Sequence, residues 1–425
     1  MDAPDAAALI DGQTGAVTTR EALLARADEV ASRFADLGLR ARDAIALQLP
    51  NSVELVAAFL AAVKLDLVVF PIDRDATESE VAKIVDHFGI GRAEARLRLP
   101  PGTRLVKLTS GSTGLPKGIV TTDANLLADC ANICASMGIG PDDINLGAIP
   151  FSHSYGFSNL VMPLIAQGTA IVVSNDYLPQ SLLELANAHR CTVAPLIPMV
   201  FEHLTVAAHG SFETIRTFIS AGAPLPASTS RKFRDRFGID VHSFYGCSEC
   251  GGITYDRRGA AVERGTVGSA LDGVTLTTDA KRLSVRSASV AAGYLLDANT
   301  FQPFADGMFV TDDLVEERDS EIALIGRASD LINTAGKKVN PREVEAVILQ
   351  IDGVHEAKVY GEAAGARGEV VAAAIVATPD VTRELVREYC RARLSLHKVP
   401  RIVKLIDAMP VDERGKVKRA ALVAL

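Results

Sequence analysis

The sequence predicts an α/β protein with two parts: a large N-terminal domain built on mixed, largely parallel sheets with a β-rich subdomain, and a small α+β C-terminal domain. Three observations predict it. Apolar strand-like runs alternate with helical patterns over the first 245 or so residues, the alternation expected of strands joined by crossover helices. The character changes near residue 260 to shorter alternating runs, and changes again after "IALIGRASD" to a compact mixed segment. At 425 residues the chain is also too long for one ordinary core.

Taken in order, "DAIALQLP" reads as a strand, "SVELVAAFLAAVKL" as a helix, "LVVFPI" as a buried strand and "ESEVAKIVDHFG" as a helix. The same alternation returns in "TAIVV", "PQSLLELANAHR", "CTVAPLI", "TFISAG" and "VHSFYG". "TLTTDAKRLSVRS" and "MFVTDDLVEE" supply the β-rich meander. The boundary is expected at Ser329, giving an N-terminal domain over 1–328 and a C-terminal domain over 329–425. With 48% hydrophobic and 23% charged residues the chain is of folding composition rather than disordered. A net charge of −8 without a long basic run argues against a nucleic-acid footprint and against tight binding to anionic membrane.

The N-terminus lacks the basic start and apolar core of a signal peptide. The best candidate for a membrane span, from Leu55, is broken by Lys64 and Asp66 and ends at a proline, so it fits a helix and a strand better. A cytoplasmic protein with six free thiols is expected.

Two stretches carry chemistry. "LTSGSTGLPKG", Leu108 to Gly118, follows the strand-like "RLVKL" and precedes the helical "DANLLADCANICASM". Its backbone N–H groups and the hydroxyls of Thr109, Ser110, Ser112 and Thr113, between Gly111 and Gly114, suit wrapping a phosphate chain, and Lys117 adds positive charge. No G-x-x-x-x-G-K-[ST] register exists, so it is not the common nucleotide P-loop; a flexible Gly/Ser turn is the plain alternative. "YGCSECGG", 245 to 252, places Glu249 between Cys247 and Cys250. A zinc site would want two more ligands, for which Cys130 and Cys134 are the paired candidates; a redox C-x-x-C would not be expected to hold an acid between its thiols.

Together these motifs resemble the adenylate-forming (AMP-binding) superfamily, most closely its acyl-CoA synthetases. The resemblance runs over nearly the whole chain in order: "LPNSVELVAAFLAAVKLDLVVFPID", the phosphate loop, "IPFSHSYGFSN", "SAGAPLP", "FYGCSECGG", "TDDL", "GRASDLINTAGKKVNPREVE" and "RGKVKRAAL". It implies ATP-dependent activation of a carboxylic acid through an acyl-adenylate, then transfer to the thiol of coenzyme A. The cofactors it implies are ATP, Mg²⁺ and coenzyme A or phosphopantetheine.

Carried over residue by residue, the resemblance puts Glu249 and Thr113 on the metal, Tyr245 and Gly246 with Gly222 and Ala223 around adenine, and Ser248 near the α-phosphate. Mg²⁺ is a hard ion that takes oxygen, so the cysteines are neighbours of that chemistry. Asp313 and Arg327 would take the ribose, and Lys416 would bridge carboxylate and α-phosphate; the plain readings are a turn aspartate, a surface arginine and a solvated basic tail. His153 would line the acyl pocket or gate the thiol, or serve as a packed histidine. The family rotates a mobile C-terminal domain between half-reactions, which puts Ser329 at the hinge and Gly336 beside the pantetheine arm, where a turn glycine is an equal reading.

Three departures stand out. Asp312 replaces a usual glycine, Ser329 replaces a usual Asp or Lys, and the stretch between "VDHFGIGRAEARLRLP" and the phosphate loop is short. The candidate pocket segments hold no charge besides Glu249, which favours a small, mostly apolar acyl or aryl acid over an amino acid. Alternatives are an adenylation protein loading a separate carrier protein, a nucleotide-binding sensor without turnover, and a zinc-binding scaffold.

Overall fold

The computed structural model describes residues 3–91, 97–109, 116–334, 337–363, 369–411, 417 and 419–424. The chain divides into two compact units. The first comprises Met1–Thr277, Ser284–Val310 and Glu317–Ala323; the second comprises Thr278–Leu283, Thr311–Glu316 and Leu324–Leu425.

Two sheets organise the first unit. In the larger, nine strands run in the order Ser269–Ala270, Gly251–Tyr255, Val241–Cys247, Thr217–Ser220, Val193–Leu196, Ile144–Gly147, Ala170–Val173, Ala7–Asp11 and Val17–Thr19. Its centre is parallel, as in Thr217–Ser220 against both Val193–Leu196 and Val241–Cys247. Parallel strands buried on both faces read as continuous apolar runs, which is why "AIVV" and "VAPL" are buried at every position. Phe201, Phe218 and Phe233 pack edge to face beneath this sheet, with ring centroids 4.9–6.0 Å apart.

The second sheet has six strands in the order Thr300–Pro303, Gly293–Asp297, Lys117–Thr122, Thr103–Thr109, Val68–Ile72 and Ala44–Gln48. The apolar run that resembled a membrane span is a helix, Val53–Lys64, and the strand Val68–Ile72. Ser52 caps that helix, its hydroxyl accepting from the Leu55 N–H at 3.2 Å. No helix of the described residues is long and apolar enough to cross a membrane.

One element differs from the sequence reading. Between the phosphate loop and the helix Asp123–Met137 lies a strand, Lys117–Thr122, antiparallel to Thr103–Thr109 with Thr109 opposite Lys117. The loop therefore joins two paired strands, and the helix starts a strand-length later, where Thr122 and Asn125 form a capping box. The β-branched run Ile119–Val120–Thr121–Thr122 explains the strand.

From Val274 to Arg327 the chain runs mainly in strands, the β-rich stretch expected from its short alternating runs. The second unit has its own core, in which Ile332, Val339, Val344, Ile348, Val359 and Ile375 are buried together. Its three-stranded sheet, Val354–Ala363, Glu369–Ala377 and Ile402–Leu405, is accompanied by helices Pro341–Ile348 and Arg383–Arg391.

Candidate active site

In an open parallel sheet, ligands bind outside the carboxyl ends of the strands. Those ends carry most of the expected residues of the first unit. Gly222 and Ala223 follow Thr217–Ser220 and are exposed; Tyr245 and Gly246 lie in the last turns of Val241–Cys247. His153 follows Ile144–Gly147 through the connection 148–152.

The turn that bears Glu249 is made by its glycines. Cys247 pairs with Gly251, and the Cys250 N–H donates to the Cys247 carbonyl at 3.3 Å. A Cβ at Gly246 would stand 2.4 Å from the Gly251 carbonyl oxygen, so only glycine lets the two strands meet there. Gly251 has φ +74°, and a Cβ on it would fall 2.1 Å from Asp129 Oδ1. Ser248 and Glu249 are thereby presented at the tip, half-buried.

Both tip residues have partners from other segments. Ser248 Oγ shares a hydrogen bond of 2.8 Å with Ser154 Oγ, next to His153. The Tyr294 hydroxyl donates to Glu249 Oε1 at 2.8 Å. Burial first, then the Glu249 charge, push the Tyr294 hydroxyl above its ordinary range, so it remains a donor. Lys117 Nζ lies 5.3 Å from the centroid of the Tyr294 ring, which puts a cation beside the pair. His153 Nε2 is 3.1 Å from Asp73 Oδ2. Sequence reading missed Tyr294, which sits in no motif, and passed over Ser154 and Asp73, which lie inside "IPFSHSYGFSN" and at the end of "LPNSVELVAAFLAAVKLDLVVFPID"; only the folded chain brings them here.

The cysteines other than the half-buried Cys247 are small buried groups. Hydrogen bonding to Cys247 first, then burial, hold the Cys250 thiol well above the usual range, so it stays protonated. Cys130 and Cys134 lie in one helix with their sulfurs 3.9 Å apart. Among the described residues no group of three or more His, Cys, Asp or Glu side chains is placed to hold a metal. Glu249 is one oxygen-donating carboxylate, paired with the Tyr294 hydroxyl and with Lys117 over the Tyr294 ring. That donor set fits Mg²⁺, which takes one or two carboxylates and completes its shell with phosphate and water. Of the other residues expected on this unit, Thr109 ends its strand, while Ser110, Gly111, Ser112, Thr113 and Gly114 lie outside the described residues.

Beneath the turn, Lys107 and Asp129 are both buried, at 6% and 4% exposure. Burial pushes the Lys107 ammonium down and the Asp129 carboxyl up, and each opposes the other's shift by its charge. A signal for both existed in the sequence: Lys107 interrupts an apolar strand, and Asp129 shares the buried face of its helix with Leu126, Cys130 and Ile133.

In the second unit, Arg327 Nε pairs with Asp313 Oδ1 at 3.1 Å. The two residues that depart from the resemblance meet: the Ser329 hydroxyl donates to Asp312 Oδ2, and the Ser329 N–H lies 3.2 and 3.3 Å from the two Asp312 oxygens. Asp312 thus places a carboxylate beside position 329. Gly336 and Lys416 lie outside the described residues.

The chain matches the model of the AMP-binding enzyme family over residues 1–92 and 103–295, and that of the AMP-binding enzyme C-terminal domain over 343–416. It is 26% identical to a sulfoacetate–CoA ligase of Cupriavidus necator, over 99% of this chain and 95% of that one. Identity is also 26% to a 2-succinylbenzoate–CoA ligase of Bacillus licheniformis, over 99% and 97%. A further relative, from Bacillus subtilis strain 168, is 28% identical over 75% of this chain and 62% of its own length. Among solved structures, ATP-bound MatB from Rhodopseudomonas palustris superposes with a TM-score of 0.83 at 25% identity, covering 100% of this chain and 96% of the other. The chain thus belongs to the AMP-binding enzyme family, as an acyl-CoA ligase of the adenylate-forming kind that uses ATP, Mg²⁺ and coenzyme A.

Proposed function

We propose that this chain activates a small, mostly apolar acyl or aryl monocarboxylate as its adenylate and passes the acyl group to the thiol of coenzyme A, using the residues gathered at the carboxyl ends of the parallel strands. The observation that carries this reading is the Glu249 turn. It sets one carboxylate, a protonated tyrosine and a lysine in contact beside a hydroxyl pair that leads to His153.

The reaction makes a poor electrophile reactive. The substrate carboxylate attacks the α-phosphorus, pyrophosphate leaves, and the thiol then displaces AMP from the acyl carbon. Charge crowds the phosphate oxygens, so preorganised donors are the main need. In this reading Thr109 and Lys117 flank the triphosphate, with the hydroxyls of the intervening loop; Gly222, Ala223, Tyr245 and Gly246 hold adenine; and Ser248 orients the α-phosphate. Glu249 would hold Mg²⁺, with Thr113 as a second oxygen donor. When bound, the ion neutralises phosphate charge. Asp313, supported by Arg327, accepts the ribose hydroxyls. Lys416 bridges carboxylate and α-phosphate, and Ser329 serves as the hinge between domains 1–328 and 329–425. Gly336 lets the backbone pass the pantetheine arm.

An apolar substrate is supported by the apolar side chains gathered around Ser152, among them Leu55, Phe59, Val69, Pro71, Phe151 and Phe157. Phe59 and Phe157 meet edge to face at 4.9 Å. The nearby buried cation, Lys107, faces Asp129 and so is not spare for a second anionic group on the substrate. Six free cysteines, and no described helix able to cross a membrane, support a cytoplasmic setting.

Pyrophosphate exchange across a panel of carboxylic acids tests this, followed by product analysis with coenzyme A and with a phosphopantetheinylated carrier protein. Exchange only with amino acids or dicarboxylates would overturn the substrate class. Thioester on the carrier alone would replace coenzyme A as acceptor.

A further inference from the structure

One buried carboxylate ties together three segments that the mechanism uses separately. Asp129 lies on the inner face of the helix Asp123–Met137 and is 4% exposed. Its Oδ1 accepts the Gly252 N–H at 2.9 Å, at the foot of the turn that bears Ser248 and Glu249. Its Oδ2 accepts from Ser158 Oγ at 2.6 Å, on a turn of π-helix, Phe157–Val161, that begins four residues after His153. Lys107, two residues before the end of the strand that enters the phosphate loop, is the buried opposite charge.

The contacts are tight and leave little slack. Oδ1 stands 2.1 Å from where a Cβ on Gly251 would be, so the turn cannot shift toward the helix without displacing the carboxylate. A π-helical turn is a costly local geometry that recurs at functional sites. Here it aims Ser158 at Asp129, while the next residue, Asn159, is buried with its side-chain oxygen unpartnered. A buried carboxylate would be well enough satisfied by one segment. This one divides its two oxygens between the acyl side and the metal side.

We infer that Asp129 is a positioning residue for adenylation, holding the Glu249 turn in register with the helix after His153 so that the metal–phosphate and acyl sides are set together through Ser158 and Gly252. This rests on the roles given above to Glu249 and His153. A residue on the acyl side, distant in sequence and offering nothing to the metal, then influences the Mg²⁺ requirement. A purely structural pair would not have that effect.

Ser158→Ala in the full chain is the test, because it cuts the acyl-side arm and leaves both charges in place. Three quantities are read: thermal unfolding, the calorimetric affinity for ATP with Mg²⁺ against ATP with EDTA, and the Mg²⁺ concentration giving half-maximal pyrophosphate exchange. Loss of one hydrogen bond to a carboxylate should raise that Mg²⁺ concentration about tenfold and weaken Mg²⁺-dependent ATP binding to match. Binding in EDTA should hardly move, and the melting temperature should fall by a few degrees, as loss of one buried hydrogen bond brings. Asp129→Asn combined with Lys107→Met, which removes both charges and keeps an acceptor for Gly252, should show the smaller Mg²⁺ effect of the two variants. Unchanged Mg²⁺ dependence in Ser158→Ala, with only the melting temperature lowered, would overturn the inference. Glu249→Ala is the control. If that variant keeps its Mg²⁺ dependence, the metal reading itself fails; if it loses it while Ser158→Ala is silent, the role of Asp129 alone falls.

Discussion

Asp312→Ala should loosen the segment at Ser329 without unfolding anything. In the native chain the Asp312 carboxylate receives two donors from Ser329, the hydroxyl and a forked backbone N–H. Ser329 is exposed, so each bond stands at the weak end of the range, about 0.5–1 kcal/mol net. Two of them give about 1–2 kcal/mol, or a factor of about 5 to 30 in the balance between held and released segment. One backbone bond is independent of the side chain, from the Ala328 N–H to the Asp312 carbonyl at 2.7 Å, and should survive. Amide hydrogen exchange gives the direct reading: the Ser329 amide should exchange about 5 to 30 times faster, with the core amides of the strand Glu369–Ala377 unchanged. Single-turnover assays of the two half-reactions then show whether this segment is the hinge. Release should change thioester formation more than adenylation, and Ser329→Pro, which removes the N–H and fixes φ, should change it further. If the Ser329 amide exchanges at its native rate in Asp312→Ala, the carboxylate does not hold the segment and the reasoning fails.

The remaining predictions concern the reaction and acid stability. Lys416→Ala should cut acyl-adenylate formation by about 10² to 10³ while thiol attack on preformed adenylate persists, measured by rapid quench of each step. Replacing both Cys247 and Cys250 by serine should leave Mg²⁺-dependent adenylation mostly standing, whereas Glu249→Ala should abolish most of it. Stoichiometric zinc, present in the native protein and lost in the double variant, would contradict that. Glu321 is buried, which alone would raise its carboxyl, but Arg264, Thr266 and Arg258 hold it at about 2 instead of 4.5. A depressed carboxylate contributes stability above its ordinary value and loses it as pH falls between 4.5 and about 2. Urea midpoints taken across that window should therefore fall less steeply in Glu321→Gln than in the native chain.

The elements that sequence reading reached are those whose signal is local. Alternating apolar runs gave the parallel strands, because a strand buried on both faces needs consecutive apolar residues, as at Ala170–Val173. The signal of the loop after "RLVKL" is equally local, in its glycines and hydroxyls, but Ser110 to Gly114 lie outside the described residues. The strand Lys117–Thr122 went unread because a loop of glycines and hydroxyls draws attention away from four β-branched residues that pair 12 to 19 positions back along the chain. Tyr294 was out of reach for a different reason. It stands 45 residues from Glu249 and joins it only because Gly293–Asp297 pairs with Lys117–Thr122.

The clearest case of sequence and structure informing each other is the pair of departures in the second unit. Read singly, Asp312 in place of glycine leaves the local backbone geometry open, and Ser329 in place of Asp or Lys puts a small, tolerant residue where the resemblance expects a charge. Joined, they place a carboxylate beside the Ser329 segment from an earlier strand, Met308–Arg318. An acid carried on the hinge residue itself swings with that residue's φ and ψ. A carboxylate anchored on a strand stays where it is and lets go of Ser329 when the segment turns. If Ser329 is the hinge, the segment would then turn only by breaking this contact, and the contact is what Asp312→Ala removes.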